Sequence, residues 1–259
     1  MSLGFTLRTG LGQPPLRRRS LVAISLAALL ACAAFAADRA PDRPQPAAVQ
    51  GWAKAFAQQQ RELAAKRADI LFVGDSLTEF WTATGRPIWD LEFHDFRAVN
   101  FGLAGDRTEH ILHRLMRTNL AAQPPRAVVL LAGTNNLAQD PPDPPRATVS
   151  GVKALVDHVV QRCPGTRLFL LTLPPNGHAA QSPLRQRVLE TNRELKATKW
   201  PASVQLVDIY PVFADARDHW KPGMTLDGTH FSQNGYDHLG RALAPVTDFL
   251  RSQPDQRQK

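Results

Sequence analysis

Three side chains of this chain could together perform acyl transfer through a serine. Ser76 lies in a Gly-Asp-Ser-Leu segment, and a serine hydroxyl needs a neighbouring base before it can attack a carbonyl carbon. His230 is a candidate for that base. Asp227, three residues earlier, can turn back to orient the imidazole and stabilise its protonated form. The residue types therefore predict a nucleophile, a base and an orienting acid.

The same chemistry needs hydrogen-bond donors for the oxyanion that forms when a carbonyl is attacked. Gly105 can present its main-chain N–H without a side chain in the way, and Asn135 can present its side-chain amide. Together with the N–H of Ser76 they make three candidate donors, each worth roughly 3 kcal/mol at such sites. We therefore expect an oxyanion hole built from Ser76, Gly105 and Asn135.

Each of these residues also has a structural explanation. Ser76 and Glu79 have the spacing of a helix capping box. Glycine, asparagine and the pair Asp227-Gly228 are common in turns. The candidate residues occur in order, however, three times directly after a predicted strand and once before the last predicted helix. That arrangement favours a site over a set of unrelated turns.

The elements that must position these residues alternate along the chain. Short apolar runs rich in β-formers predict five strands, at 70–73, 98–101, 127–132, 168–173 and 204–209. Apolar residues repeat at helical spacing in 107–119 and 234–251. Continuous apolar strands separated by helices predict an α/β fold, a three-layer, doubly wound, flavodoxin-like domain with a parallel five-stranded sheet. Ligands bind such sheets beyond the carboxyl ends of the strands, where the candidate residues lie.

Composition fits one globular domain. The 259 residues are 43% hydrophobic and 21% charged, which excludes a mainly disordered, collagenous or coiled-coil chain. The two cysteines are too few for a disulfide framework or a four-cysteine zinc site. Four arginines of the formal +8 charge lie in the first 36 residues, and the other basic residues are scattered among acids. The charge pattern therefore predicts no nucleic-acid partner.

The N-terminus reads as an export signal. Arg17-Arg18-Arg19 precedes the apolar run Leu21–Ala37, and Ala34-Phe35-Ala36 is a small-x-small cleavage site. We expect a signal peptide at 1–36, a proline-rich linker at 37–48, a catalytic domain at 49–253 and a polar tail at 254–259. An uncleaved anchor, the twin-arginine route and a lipid on Cys32 remain alternatives. The predicted location is periplasmic or extracellular.

Four blocks in this order make the chain recognisable. They read Gly-Asp-Ser-Leu at 74–77, Gly-Leu-Ala-Gly-Asp at 102–106, Gly-Thr-Asn-Asn at 133–136 and Asp-Gly-Thr-His at 227–230. Over about residues 68–251 the chain resembles the SGNH (GDSL-type) hydrolase superfamily. The stretches Asn100–Leu115 and Pro183-Leu184-Arg185 are similar to the branch that contains the catalytic subunits of intracellular platelet-activating-factor acetylhydrolase.

The resemblance implies a role for each matching residue. Ser76 would be the nucleophile, His230 the base and Asp227 its partner, with Gly105 and Asn135 joining the Ser76 N–H in the oxyanion hole. Members of the superfamily need no metal or organic cofactor, so none is expected here. Asn136 stands where the superfamily often has Asp, as it does in the acetylhydrolase branch, and is expected to affect the loop or the substrate.

Residues outside the four blocks are further candidates for the site. Trp81 follows the candidate nucleophile closely, and together with Asn136 it is a candidate for substrate contact; an aromatic residue there also fits a plain core. His110 and His113, three residues apart on a predicted helix, could suggest a metal site, but we expect them on an exposed helix face with no metal bound.

These observations predict an exported serine esterase that releases short acyl groups, acetyl foremost, from a small molecule or an acetylated carbohydrate through an acyl-enzyme. Lysophospholipase or thioesterase activity is the nearest alternative, and a non-catalytic carbohydrate-binding or scaffold protein is an alternative of another class. Membrane association is expected only with a lipid on Cys32 or an uncleaved signal. The oligomeric state stays open, with a homodimer as one option.

Overall fold

A computed structural model of the chain describes Met1 and residues 40–253. Its centre is a parallel sheet of five strands in the order β2-β1-β3-β4-β5. The strands are β1 (Ile70–Gly74), β2 (Ala98–Gly102), β3 (Ala127–Leu131), β4 (Arg167–Leu171) and β5 (Val204–Val207). The order reverses between β1 and β3, which is the switch point of a flavodoxin-like sheet. The predicted fold class is confirmed.

Helices connect the strands and cover both faces of the sheet. They are α1 (Trp52–Ala65), α2 (Ser76–Glu79), α3 (Arg86–Glu92), α4 (Thr108–Met116), α5 (Thr134–Ala138), α6 (Pro145–Arg162), α7 (Pro183–Ala197), α8 (Tyr210–Phe213), α9 (Gln233–Ala242) and α10 (Ala244–Ser252). Among the described residues no helix is long and apolar enough to cross a membrane.

Alternate side chains of each strand enter two separate cores. In β1, Leu71 and Val73 pack with α1, α4 and α6 on one face of the sheet. Ile70 and Phe72 pack on the other face with the segments that follow the candidate nucleophile and with α9 and α10. Successive strand side chains point to opposite faces, so a strand buried on both sides reads as a continuous apolar run.

Three strands end earlier than the sequence predicts: β3 by one residue, at Leu131, and β4 and β5 by two residues, at Leu171 and Val207. Beyond β4, the side-chain amide of Asn192 takes over the pairing of Leu173, accepting from its N–H at 2.7 Å and donating to its carbonyl at 2.8 Å. A polar side chain thus satisfies the main chain where strand pairing stops. The apolar sequence at 168–173 gives no sign that a side chain replaces strand pairing at Leu173.

The helix predicted over 234–251 is divided into α9 and α10 at Leu243. Pro245 follows two residues later, and proline has no N–H with which to continue a helix. The predicted helix over 107–119 is present but shorter, as α4.

The predicted proline-rich linker is in part packed against the domain. Its described residues, 40–48, form neither helix nor strand. The Pro41 carbonyl accepts from Thr108 Oγ1 at 2.8 Å, and the Gln45 N–H donates to the Glu109 carbonyl at 3.1 Å. The compact unit therefore begins near residue 40 rather than at 49. The predicted signal peptide, 1–36, and polar tail, 254–259, lie outside the described residues apart from Met1.

Gly102, at the end of β2, allows a close approach that a larger residue would prevent. A Cβ there would lie 2.4 Å from the Glu79 N and 2.8 Å from the Asp75 carbonyl oxygen, both main-chain atoms of the segment around Ser76. We expect Gly102→Ala to lower the free energy of unfolding by roughly 2 to 3 kcal/mol in urea denaturation, since overpacked backbone must move. Gly165→Ala, where the new Cβ meets nothing within 4 Å, is the control and should change stability little. Equal stability of the two variants would contradict the packing described here.

Candidate active site

Ser76 lies at the point where β1 ends and α2 begins. Asp75, not Ser76, caps this short helix: its Oδ1 accepts from the Leu77 N–H at 2.9 Å. The predicted capping box of Ser76 and Glu79 is therefore wrong, and Glu79 instead accepts from the Ala104 N–H at 2.7 Å. With the cap supplied by its neighbour, the Ser76 hydroxyl is turned toward His230.

The structure brings the three predicted side chains into one chain of contacts. Ser76 Oγ lies 3.0 Å from His230 Nε2, and His230 Nδ1 lies 2.7 Å from Asp227 Oδ2. The Phe80 ring packs beside the imidazole, with 5.2 Å between ring centroids. This is the arrangement in which an imidazole can take a proton from a serine hydroxyl while a carboxylate fixes its tautomer.

Asp227 is held as an anion by the turn that it starts. Partial burial alone would raise the pKa of this carboxyl, but the His230 ring and the N–H groups of His230 and Thr229 lower it to about 2. Both N–H groups donate to Asp227 Oδ1, at 2.8 and 2.9 Å. Asp227 therefore stays ionised from about pH 3 upward and can stabilise the imidazolium that forms when His230 takes a proton.

The candidate oxyanion donors belong to neighbouring segments. Asn135 Nδ2 donates to the Asp106 carbonyl at 2.9 Å and lies 3.4 Å from Asp75 Oδ2. Asp75 directly precedes Ser76, and Asp106 directly follows Gly105. The side-chain amide of Asn135 therefore contacts a neighbour of each of the other two candidate donors, the N–H groups of Ser76 and Gly105. Gly105 has φ +78°, a conformation that favours glycine, and its position is exposed.

A fully buried carboxyl, that of Asp75, lies directly behind this site, and its sequence motif gives no sign of a role for it. Burial raises the pKa of Asp75 from 3.8 to about 7; the Leu77 N–H opposes this rise and the nearby Asp106 adds to it. Below that pH the Asp75 carboxyl is neutral and adds no negative charge next to the place where an oxyanion would form.

A buried ion pair supports the loop that carries Gly105. Arg114 Nε and Nη2 each lie 2.7 Å from Asp106 Oδ2, and both side chains are fully buried. Arg114 also donates to the carbonyls of Phe101 and Gly74, at the ends of β2 and β1. Trp52 Nε1 donates to the other Asp106 oxygen at 2.7 Å. The pair thus joins the loop after β2 to the strand that leads into Ser76.

Trp81 does not lie where a substrate could touch it. The side chain is 2% exposed and packs in an aromatic cluster with four other rings, those of Phe72, Trp89, Phe93 and Tyr236. Here the plain core explanation holds. In the 3-10 turn Phe80–Thr82, which follows α2, Trp81 faces the core, whereas Phe80 packs beside His230. The expected substrate contact of Trp81 is corrected.

Asn136 is also buried, with none of its surface exposed. Its Nδ2 donates to Glu109 Oε2 at 3.1 Å and Asp143 Oδ2 at 2.9 Å, while its Oδ1 accepts from the Thr108 N–H at 3.0 Å. The side chain fastens the start of α4 to the loop after α5. It acts on loop structure and makes no surface for substrate, which corrects the second expected contact.

His110 and His113 are buried, contrary to the exposed face expected of them. His110 Nδ1 accepts from the Arg107 N–H at 3.2 Å, and the His113 ring packs edge-on against Trp52. Across the described part of the chain no group of three His, Cys, Asp or Glu side chains could hold a metal ion.

Comparison with known proteins assigns the family. The profile of the GDSL-like lipase/acylhydrolase family matches residues 72–238. The chain belongs to this acylhydrolase family. It is 31% identical to the platelet-activating factor acetylhydrolase IB subunit alpha2 of Rattus norvegicus over 195 residues, which cover 74% of this chain and 82% of the relative. The human alpha1 subunit is 31% identical over 69% of this chain and 74% of its own length.

Solved structures show that the acylhydrolase fold is shared more widely. A GDSL-like lipase from Bacteroides thetaiotaomicron superposes with a TM-score of 0.62 at 20% identity, covering 75% of this chain and 96% of that one. An acetylxylan esterase from Geobacillus stearothermophilus gives a TM-score of 0.57 at 18% identity, covering 72% and 97%. At these identities the likeness concerns the fold alone. The predicted membership of the SGNH (GDSL-type) superfamily is confirmed.

The raised pKa of Asp75 predicts a pH dependence of stability in this acylhydrolase. In the unfolded chain the carboxyl ionises near pH 4, whereas in the folded chain it ionises near 7. The contribution of Asp75 is thus fully present at low pH and is lost as the pH rises through this window. Between pH 4.5 and 7.5 we expect the loss of unfolding free energy to be smaller in Asp75→Asn than in the wild type, by roughly 3 kcal/mol.

Urea denaturation at the two pH values measures this difference. Asparagine remains neutral and keeps an oxygen that can accept from the Leu77 N–H. Asp248→Asn, at an exposed position in α10, is the control and should follow the wild type. Parallel pH dependences in all three proteins would show that Asp75 is not a buried carboxyl with a raised pKa.

Proposed function

We propose that this acylhydrolase is an exported serine esterase that removes short acyl groups, acetyl foremost, through an acyl-enzyme on Ser76. The observation that carries the proposal is the continuous contact from Ser76 Oγ through the His230 ring to Asp227, at 3.0 and 2.7 Å. The family supplies the reaction class, ester hydrolysis. The geometry supplies a nucleophile, a base and an orienting acid within that class.

Each residue then has a definite task in the reaction. Ser76 Oγ attacks the ester carbonyl while its proton passes to His230 Nε2, and the imidazolium is stabilised by Asp227. The oxyanion is stabilised by the N–H groups of Ser76 and Gly105 and the amide of Asn135. The ester C–O bond breaks as His230 returns the proton to the departing alcohol. Water then repeats the sequence on the acyl-serine, which releases the acid and regenerates Ser76.

The relatives support a short acyl group. Two subunits that are 31% identical to this chain are named acetylhydrolases, and each match covers more than two thirds of both chains. Acetyl transfer requires little room beside the serine. The substrate class proposed here therefore starts with acetate esters, and longer acyl chains are the comparison that tests it.

The proposal of a carbohydrate ester rests on the N-terminal sequence. Arg17-Arg18-Arg19, the apolar run Leu21–Ala37 and the site Ala34-Phe35-Ala36 have the order of a secretory signal, and acetylated carbohydrate is an ester available outside the cytoplasm.

Turnover of p-nitrophenyl acetate, butyrate and octanoate by the wild type and Ser76→Ala tests this function. We expect the wild type to prefer acetate and the variant to lose at least about 10³-fold in kcat, because its only change is the loss of the nucleophilic oxygen. Ser252→Ala, an exposed serine near the end of α10, is the control and should retain full turnover.

Other outcomes separate the alternatives. A preference for octanoate would favour a lysophospholipase or thioesterase. Equal turnover by the wild type and Ser76→Ala would remove Ser76 from the mechanism. If the wild type hydrolyses none of these esters, O-acetylated xylan oligosaccharides are the next substrates, and failure on them too would favour a binding protein.

A further inference from the structure

The acid–base turn, residues 227–230, lies on a long connection between α8 and α9. Along residues 214–232 the regular structure consists of two isolated bridges. More than half of the Asp227 side chain is exposed. Bonds within the turn and to the residues directly before it, such as Leu226 N–H to the His230 carbonyl at 2.9 Å, keep its shape. They do not determine where the turn stands relative to Ser76.

Contacts from outside the turn converge on two of its residues. The Gly177 N–H donates to the Gly228 carbonyl at 2.8 Å, and Trp220 Nε1 donates to the same oxygen at 3.1 Å. Thr229 Oγ1 donates to Asn176 Oδ1 at 2.7 Å. The turn is therefore attached through Asn176 and Gly177, in the loop that follows β4, and through Trp220.

Gly228 itself makes a close fit with that loop. It has φ +85°, and a Cβ added there would lie 3.1 Å from three atoms of the His178 ring. The face of this imidazole thus covers the main chain between Asp227 and His230. The loop after β4 therefore contacts the turn in two ways, through the packing of the His178 ring and through hydrogen bonds.

Arg185 joins the two segments that hold the turn, which are the loop after β4 and the part of the connection that carries Trp220. Its guanidinium is fully buried and donates to the carbonyls of Gly177, at 2.7 Å, and Asn176, at 3.3 Å. Through Nη1 it also donates to the carbonyl of Asp218, in the connection that carries Trp220. One side chain on α7 therefore bonds to the segments on both sides of the acid–base turn.

The chemistry of this position requires arginine rather than any cation. Removing a charge from water is costly unless hydrogen bonds replace the lost hydration. Three acceptors of Arg185 are main-chain carbonyls from two segments, and the planar guanidinium can reach them at once because its five N–H groups point in fixed directions. A lysine would keep the charge but offers donors from a single nitrogen.

We propose that Arg185 is a positioning residue of the active site, which holds the Asp227–His230 turn against Ser76 by joining the loop after β4 to the 215–220 segment. The guanidinium touches none of the three proposed catalytic side chains and acts through Asn176, Gly177 and Trp220. This inference rests on the proposed function, but it concerns a geometry that can be measured without turnover.

The test compares Arg185→Lys with Arg193→Lys, an exposed arginine on the same helix. Steady-state hydrolysis of p-nitrophenyl acetate gives kcat and KM, and circular dichroism shows that each variant is folded. Proton NMR of the whole protein follows the low-field signal of the His230 Nδ1–H that bonds to Asp227. For Arg185→Lys we expect kcat to fall about 10-fold or more with KM changed less than about 2-fold, and the low-field signal to shift or broaden. Arg193→Lys should match the wild type in all three.

A folded Arg185→Lys protein with wild-type kcat, or with lower kcat and an unchanged His230 signal, would overturn the proposal. If Arg185→Lys does not fold, Thr229→Val decides, because it removes the bond to Asn176 and leaves the buried arginine in place. An altered His230 signal in Thr229→Val supports the proposal that the loop after β4 positions the turn, and an unchanged signal overturns it. If the wild type hydrolyses no ester, the proposed function fails, while the His230 signal still tests the positioning.

Discussion

The contact between Ser76 Oγ and His230 Nε2 spans 154 positions of sequence and joins two very different parts of the molecule. Ser76 follows β1, an inner strand of a buried sheet, and its position is set by two packed cores. His230 lies in an exposed connection with little regular structure. A proton can pass between Ser76 and His230 only at hydrogen-bond distance. The connection that carries His230 must therefore be held as firmly as the sheet that carries Ser76. Most of the polar structure around the site serves this requirement.

Two buried arginines meet that requirement on opposite sides of the serine. Arg114 pairs with Asp106 and bonds to the carbonyls at the ends of β1 and β2, which fixes the loop that carries Gly105. Arg185 bonds to the loop after β4 and to the Asp218 carbonyl, next to the acid–base turn. In both cases a planar guanidinium donates to main-chain carbonyls of separate segments, which its several N–H groups can reach at once.

The sequence could predict the sheet, the order of its elements and the three proposed catalytic side chains, because each depends on a local pattern or on a motif at a strand end. It could not separate neighbours whose roles depend on side-chain direction. Asp75 and Ser76 are both good caps, and only the structure shows that Asp75 takes this role. Trp81 and Phe80 are adjacent aromatics, of which one enters the core and the other faces His230. Arg185 lay in a recognised stretch, but no sequence pattern shows that a distant turn depends on it.

Covalent trapping tests the central claim most directly. The wild type and His230→Ala are treated with a p-nitrophenyl alkylphosphonate, a reagent that phosphonylates an activated serine, and the site is mapped by peptide mass spectrometry. The account predicts stoichiometric phosphonylation of Ser76 in the wild type and at least about 10²-fold slower labelling of His230→Ala, because the base that activates the hydroxyl is gone. Labelling of another residue, or equal labelling rates in the two proteins, would contradict it.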